Sequence, residues 1–139
     1  MDTAAVQFID SHVHLDIVAR DHPGRIDWLT GCWCLPVSWA FARNMHSRDV
    51  LATYLREQAA TIKAINQSGL ACFYLTGIHP RSIPPDLSCR NIASLLLPFL
   101  DDPLCLGIGE IGLEDGSALE LDAHVQAARD GEPQTPATE

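Results

Sequence analysis

No apolar stretch in this chain approaches the roughly 18 residues that a membrane-crossing helix requires. The opening residues, MDTAAVQFID, also lack a basic segment leading into an apolar run. These two absences argue against a membrane span and a secretory leader, so the expected location is the cytoplasm. A CxxC pair is missing as well. Five cysteines, Cys32, Cys34, Cys72, Cys89 and Cys105, form an odd set, which indicates neither a disulfide framework nor a zinc ribbon but reduced, mostly buried thiols. Basic residues are scarce in one region only. Residues 1–100 hold eight acids and eight Lys or Arg, whereas residues 101–139 hold ten acids and the single Arg129. That excess speaks against broad attraction to nucleic acid, whose non-specific affinity rests on Lys and Arg. It leaves room for a metal site that engages one phosphate, because a bound dication reverses the field locally.

What is present is the material of one α/β domain. The chain has 139 residues, of which 47% are hydrophobic and 19% charged, a globular composition. A domain is expected over residues 1–131, followed by a disordered polar tail with two prolines over 132–139.

Residues 6–9 read as a short buried strand that turns polar at Asp10-Ser11-His12. In 20–36, His22-Pro23-Gly24 signals a turn, and 32–37 is a doubtful strand interrupted by Pro36. Over 49–68, Leu51, Leu55, Ile62 and Ile65, with Tyr54 beside them, form one helical stripe that Gly69 terminates. Residues 70–78 read as a buried strand, and 88–100 as a helix that Pro98 ends or kinks. A further strand over 104–108 runs into Gly109-Glu110-Ile111-Gly112. Ser117 and Glu120 have capping-box spacing for a last helix that stops near Gly131. Strands alternating with helices predict a parallel sheet with right-handed crossovers and functional groups at the strands' carboxyl ends.

The candidate site residues fall at those ends. His12 and His14 are two apart, and a strand's period of two puts both on one face, where two imidazoles suit one metal ion. Asp10 shares that parity and is placed either to orient an imidazole or to receive a hydrogen bond from nearby backbone. Two structural or exposed histidines fit the same spacing. Glu110 follows Leu104, Leu106 and Ile108, so it stands either at the mouth of an apolar interior, where it needs a partner or a metal, or in a solvated loop framed by Gly109 and Gly112.

Three segments taken together carry more. Phe8-Ile9-Asp10-Ser11-His12-Val13-His14-Leu15-Asp16, then Gly77-Ile78-His79-Pro80, then Gly107-Ile108-Gly109-Glu110-Ile111-Gly112-Leu113-Glu114 resemble the successive motifs of the TatD family of metal-dependent hydrolases. They stand in the family's order and cover residues 6–125. Glu114 is a departure, since many members carry Asp there. The resemblance implies an amidohydrolase-type TIM barrel holding one or two divalent ions (Zn, Mg or Mn) and hydrolysing phosphodiester bonds, often in DNA. By motif, His12 and His14 bind the first metal, and Glu110, the catalytic acid of the set, bridges both. His79 either lines the pocket or caps its turn, with the capping role favoured. The family's later His, His and Asp ligands have no counterpart here, and residues 131–136 lack β-propensity.

The expected architecture is therefore a half TIM-barrel-like parallel sheet with alternating helices, and the expected activity that of a truncated hydrolase with weak or no turnover. The alternative is a non-catalytic α/β interaction module that self-associates or completes its sheet with a partner. Among the remaining residues, Cys32 and Cys34 are expected to pack rather than to bind a soft metal. Trp28, Trp33 and Trp39 are expected to cover core or an interface. Arg81 is read as an exposed turn residue, although it is placed to meet a phosphate; His22, His46 and His124 are read as surface histidines.

Overall fold

The computed structural model describes residues 6–114 together with Gly116, Ser117, Ala123, Val125 and Gln126. In chain order the elements are β1 (Phe8–Val13), α1 (Leu15–Asp21), α2 (Gly24–Gly31), β2 (Cys34–Ser38), α3 (Arg48–Gln67), β3 (Phe73–Thr76), a 3-10 turn (Pro80–Ser82), α4 (Cys89–Leu100) and β4 (Cys105–Ile108). The strands form one sheet in the order β1-β2-β3-β4, with every pair parallel. This is the α/β arrangement that the alternating pattern predicts. No helix among the described residues is long and apolar enough to cross a membrane.

Helix α3 follows its sequence signals closely. Ser47 caps it by accepting the Val50 N–H at 3.3 Å, and the chain leaves the helix through Gly69, whose φ of 117° suits only glycine. Leu51, Leu55, Ile62 and Ile65 are buried as the stripe requires, and Tyr54 and Gln58 join them. Helix α4 begins after Ser88 and carries Pro98 in its last turn, ending at Leu100.

Two helices were not foreseen. α1 is seven residues long, α2 starts at Gly24 after Pro23, and neither has a side-chain cap. Each buries one residue, Leu15 or Ile26, so tertiary contact rather than local signal sustains them. His22-Pro23-Gly24 is the junction between them. The doubtful strand over 32–37 is real and becomes β2. Pro36 is tolerated there because β2 pairs with β3 only at Val37 and Ser38, beyond the proline.

The helices cover one face of the sheet. Ser38, Tyr74 and Thr76 on that face are buried. One core joins Leu51, Leu55, Ile78, Ile92 and Leu96; another joins Leu15, Ile26, Ile62, Leu70 and Tyr74. The residues in register on the opposite face, Ile9 with Leu35 and Val37 with Phe73, belong to neither core. Ile9 is 62% exposed and Leu106 56%.

The predicted helix from Ser117 and the predicted tail over 132–139 lie almost wholly outside the described residues. Ala123, Val125 and Gln126 are helical, and Ala123 is buried.

Candidate functional site

The residues singled out from the sequence gather at the carboxyl edge of the sheet, where β1, β2, β3 and β4 all end. His12 and His14 are close, with ring centroids 5.3 Å apart and planes nearly perpendicular. Simple period-two parity does not extend back to Asp10, however. Asp10 aligns with Pro36 and Val13 with Ser38, so an irregularity lies between them. Of the two roles expected for Asp10, the backbone one is observed: its Oδ1 accepts the His12 backbone N–H at 3.2 Å.

The residue that organises the histidines is Trp39, just past β2. Its backbone N–H donates to Val13 O at 2.8 Å and its indole Nε1–H to Ser11 O at 2.6 Å. Its ring stacks flat on His12, and its carbonyl faces His14 Nδ1 at 3.0 Å. A carbonyl only accepts, so the neutral ring of His14 carries its proton on Nδ1 and its lone pair on Nε2. Trp39 also reaches toward β4, because a side chain built on Gly109 would meet its ring at 3.4 Å. One indole thus spans from a residue of β1 to the end of β4.

Trp28 and Trp33 do not cover the core, being 56% and 54% exposed; of the two expected roles, only that of an interface residue is compatible with this exposure. Cys32 caps α2, and Trp33 has a φ of 55°. The two thiols therefore do not share a regular strand face. Burial pushes the Cys34 thiol pKa up, which suits packing.

Glu110 follows β4. Its approach is less regular than alternation implies, since Tyr74 aligns with Cys105 and Thr76 with Ile108 across a register shift. Cys105 and Ile108 pack toward the helices while Leu106 is exposed. The apolar face proposed for Leu104, Leu106 and Ile108 is split for that reason. The Glu110 side chain is 27% exposed, and Oε1 lies 3.7 Å from His79 Nε2. The ends of β3 and β4 are pressed together: Gly109 N–H donates to Thr76 O at 2.8 Å, and a Cβ on Gly77 would overlap the Gly109 carbonyl group. Arg81 is paired with Glu114, its Nε donating to both carboxylate oxygens at 2.7 and 2.8 Å.

Asp16, the last residue of the first motif, faces elsewhere. Its side chain is 8% exposed. Its Oδ2 accepts from Tyr54 OH at 3.1 Å and lies 3.8 Å from Arg43, which stacks over the Tyr54 ring. Tyr54 OH also accepts the Phe41 N–H at 2.7 Å. Burial drives the Tyr54 phenol pKa well above its ordinary range, against the smaller opposing effect of the Phe41 amide. This cluster ties the loop after Trp39 to α1 and α3.

Among the described residues, no three or more His, Cys, Asp or Glu side chains gather into a group that could hold a metal ion. The structure brings His12 to His14 and His79 to Glu110 as two pairs on one edge, without closing them into one ligand set. Comparison with family models, curated proteins and solved structures finds no match for the chain.

Proposed function

We propose that this edge is the site of a TatD-type, metal-dependent hydrolase acting on phosphodiesters, within half of a TIM-barrel-like sheet. The observation that carries this reading is the ring of His14, whose Nδ1 faces the Trp39 carbonyl at 3.0 Å. Metal-binding histidines usually spend their second ring nitrogen on such an acceptor, which fixes the tautomer and raises the basicity of the other nitrogen. The all-parallel sheet in sequential strand order is compatible with part of a barrel.

In this reading His12 and His14 hold a divalent ion, and Glu110 is the acid that completes the set from β4. Such an ion supplies a bound water of lowered pKa and neutralises charge on the phosphate. The protein's part is to fix the imidazoles through Trp39 and to keep Glu110 beside His79. Three donors hold an ion more weakly than a full ligand set, so turnover is low. The test is metal-dependent hydrolysis of a phosphodiester by the purified chain. Slow activity lost in His14→Ala and Glu110→Ala supports the reading, and activity unchanged in both contradicts it.

A second reading is favoured by the sheet face that belongs to neither core. Ile9 at 62% exposure and Leu106 at 56% present apolar surface of the kind that partners cover. In this reading the chain is a non-catalytic module that self-associates or completes its sheet with another chain. A concentration-dependent mass without any metal-dependent activity would favour it.

A further inference from the structure

His79 ends the β3 segment and leads into the 3-10 turn. Its Nδ1 accepts the Arg81 backbone N–H at 3.1 Å. An amide N–H only donates, so Nδ1 carries the lone pair, and the proton of the neutral ring sits on Nε2. That Nε2 is the atom 3.7 Å from Glu110 Oε1. Both side chains are mostly enclosed, at 18% and 27% exposure, which strengthens the attraction relative to open water.

We propose that His79 is a positioning residue that directs an Nε2–H at Glu110 and holds its carboxylate, and that it is not a further imidazole ligand. The role rests on the reading of Glu110 as the acid of a metal site. A ligand nitrogen needs a free lone pair. To free Nε2, the proton would have to move to Nδ1, where it would meet the Arg81 N–H donor to donor. His14 is the opposite case, because its Nδ1 faces a carbonyl and its Nε2 is free. The two histidines are locked into opposite tautomers by one backbone group each, and only His14 is arranged to bind metal.

The surroundings keep His79 and Glu110 together. Arg81, whose amide sets the tautomer, is tied by its side chain to Glu114, four residues past Glu110. The Gly109 N–H to Thr76 O bond and the packing of Gly77 on Gly109 join the same two segments at their base. The longer side chain of Glu114, where many members of the resembled family have Asp, is the one that reaches Arg81.

Long-range proton–nitrogen correlation spectra of the full 15N-labelled chain test this without any metal. They are recorded alkaline of the ordinary imidazole titration near about 6.5, and His79 is assigned by the loss of its signals in His79→Gln. The expected result is a lone-pair Nδ1 and a protonated Nε2 for His79, with the reverse for His14. Glu110→Gln should shift the His79 Nε2 resonance and leave the tautomer unchanged, since the Arg81 amide sets it. A proton on Nδ1 of His79, or an Nε2 resonance indifferent to Glu110→Gln, overturns the proposal. Titration with Zn2+ alone adds a second readout. His79→Gln, which keeps a donor toward Glu110, should retain most of the affinity, whereas His79→Leu should lose about tenfold. Equal affinities in the two variants contradict the positioning role. Should the native chain bind no Zn2+, the metal reading fails, while the spectra still decide the relation of His79 to Glu110.

Discussion

Trp39 lies flat against His12, with ring centroids 4.5 Å apart and planes 4° from parallel. The same residue supplies the carbonyl that faces His14, so one aromatic side chain and its own backbone hold both imidazoles of the candidate metal pair. A metal ion bound at His12 would therefore perturb the indole directly. Adding Zn2+ should change tryptophan emission in the native chain and in Trp28→Phe, and leave Trp39→Phe unresponsive. Trp39→Ala keeps the carbonyl that faces His14 and removes the indole stacked on His12, so it should weaken Zn2+ binding by at most about tenfold.

The junction of β3 and β4 admits no side chain at residue 77, since a Cβ there overlaps the Gly109 carbonyl group. Gly77→Ala should destabilise the fold by about 1–3 kcal/mol or more, as overpacking against rigid backbone does. Gly24→Ala is the control, because nothing lies within 4 Å of a Cβ at that position. Urea unfolding of the two variants checks the contrast.

Burial raises the Cys72 thiol pKa to about 11 from an ordinary 9.0, opposed in smaller part by Asn66. A raised folded-state value means that the unfolded chain ionises first as pH climbs. The contribution of the thiol to stability is thus intact below about pH 9 and is lost progressively toward pH 11. Tyr54 and Tyr74, both raised chiefly by burial, add a loss of the same sign that begins near their ordinary 10.0 and continues to higher pH. Urea midpoints measured across this range should fall, and Cys72→Ala should flatten the first part of the decline.

Ile9 and Leu106 expose apolar surface on the face that the described helices leave open. If that face drives association, the double variant Ile9→Glu, Leu106→Glu should sediment at a lower average mass than the native chain at equal concentration, with unchanged far-ultraviolet circular dichroism. Equal masses would leave the open face without a role in assembly.

The alternation of elements and the α3 stripe were legible because they rest on local periodicity and a glycine stop, which Leu51, Leu55, Ile62, Ile65 and Gly69 state in sequence; the Ser47 cap went unread. The candidate ligands His12, His14 and Glu110 were legible as motif positions at strand ends. Their support was not. Trp39 is 25 residues from His14, and no local pattern announces that its carbonyl will meet that ring. The displacement of Asp10 follows from a register irregularity with β2, and the split of Leu106 from Cys105 and Ile108 follows from another with β3; both are tertiary events that strict alternation conceals. Helices α1 and α2 escaped notice because they are short, uncapped and anchored by one buried residue each.

X-ray absorption at the zinc edge of the purified, Zn2+-loaded chain tests the central claim most directly, since it reads the ligands and not the activity. Two imidazole nitrogens at about 2.0–2.1 Å are expected, with one fewer in His14→Ala and no change in that count in His79→Leu. A shell made only of oxygen, or a nitrogen count that His14→Ala leaves untouched, would contradict it.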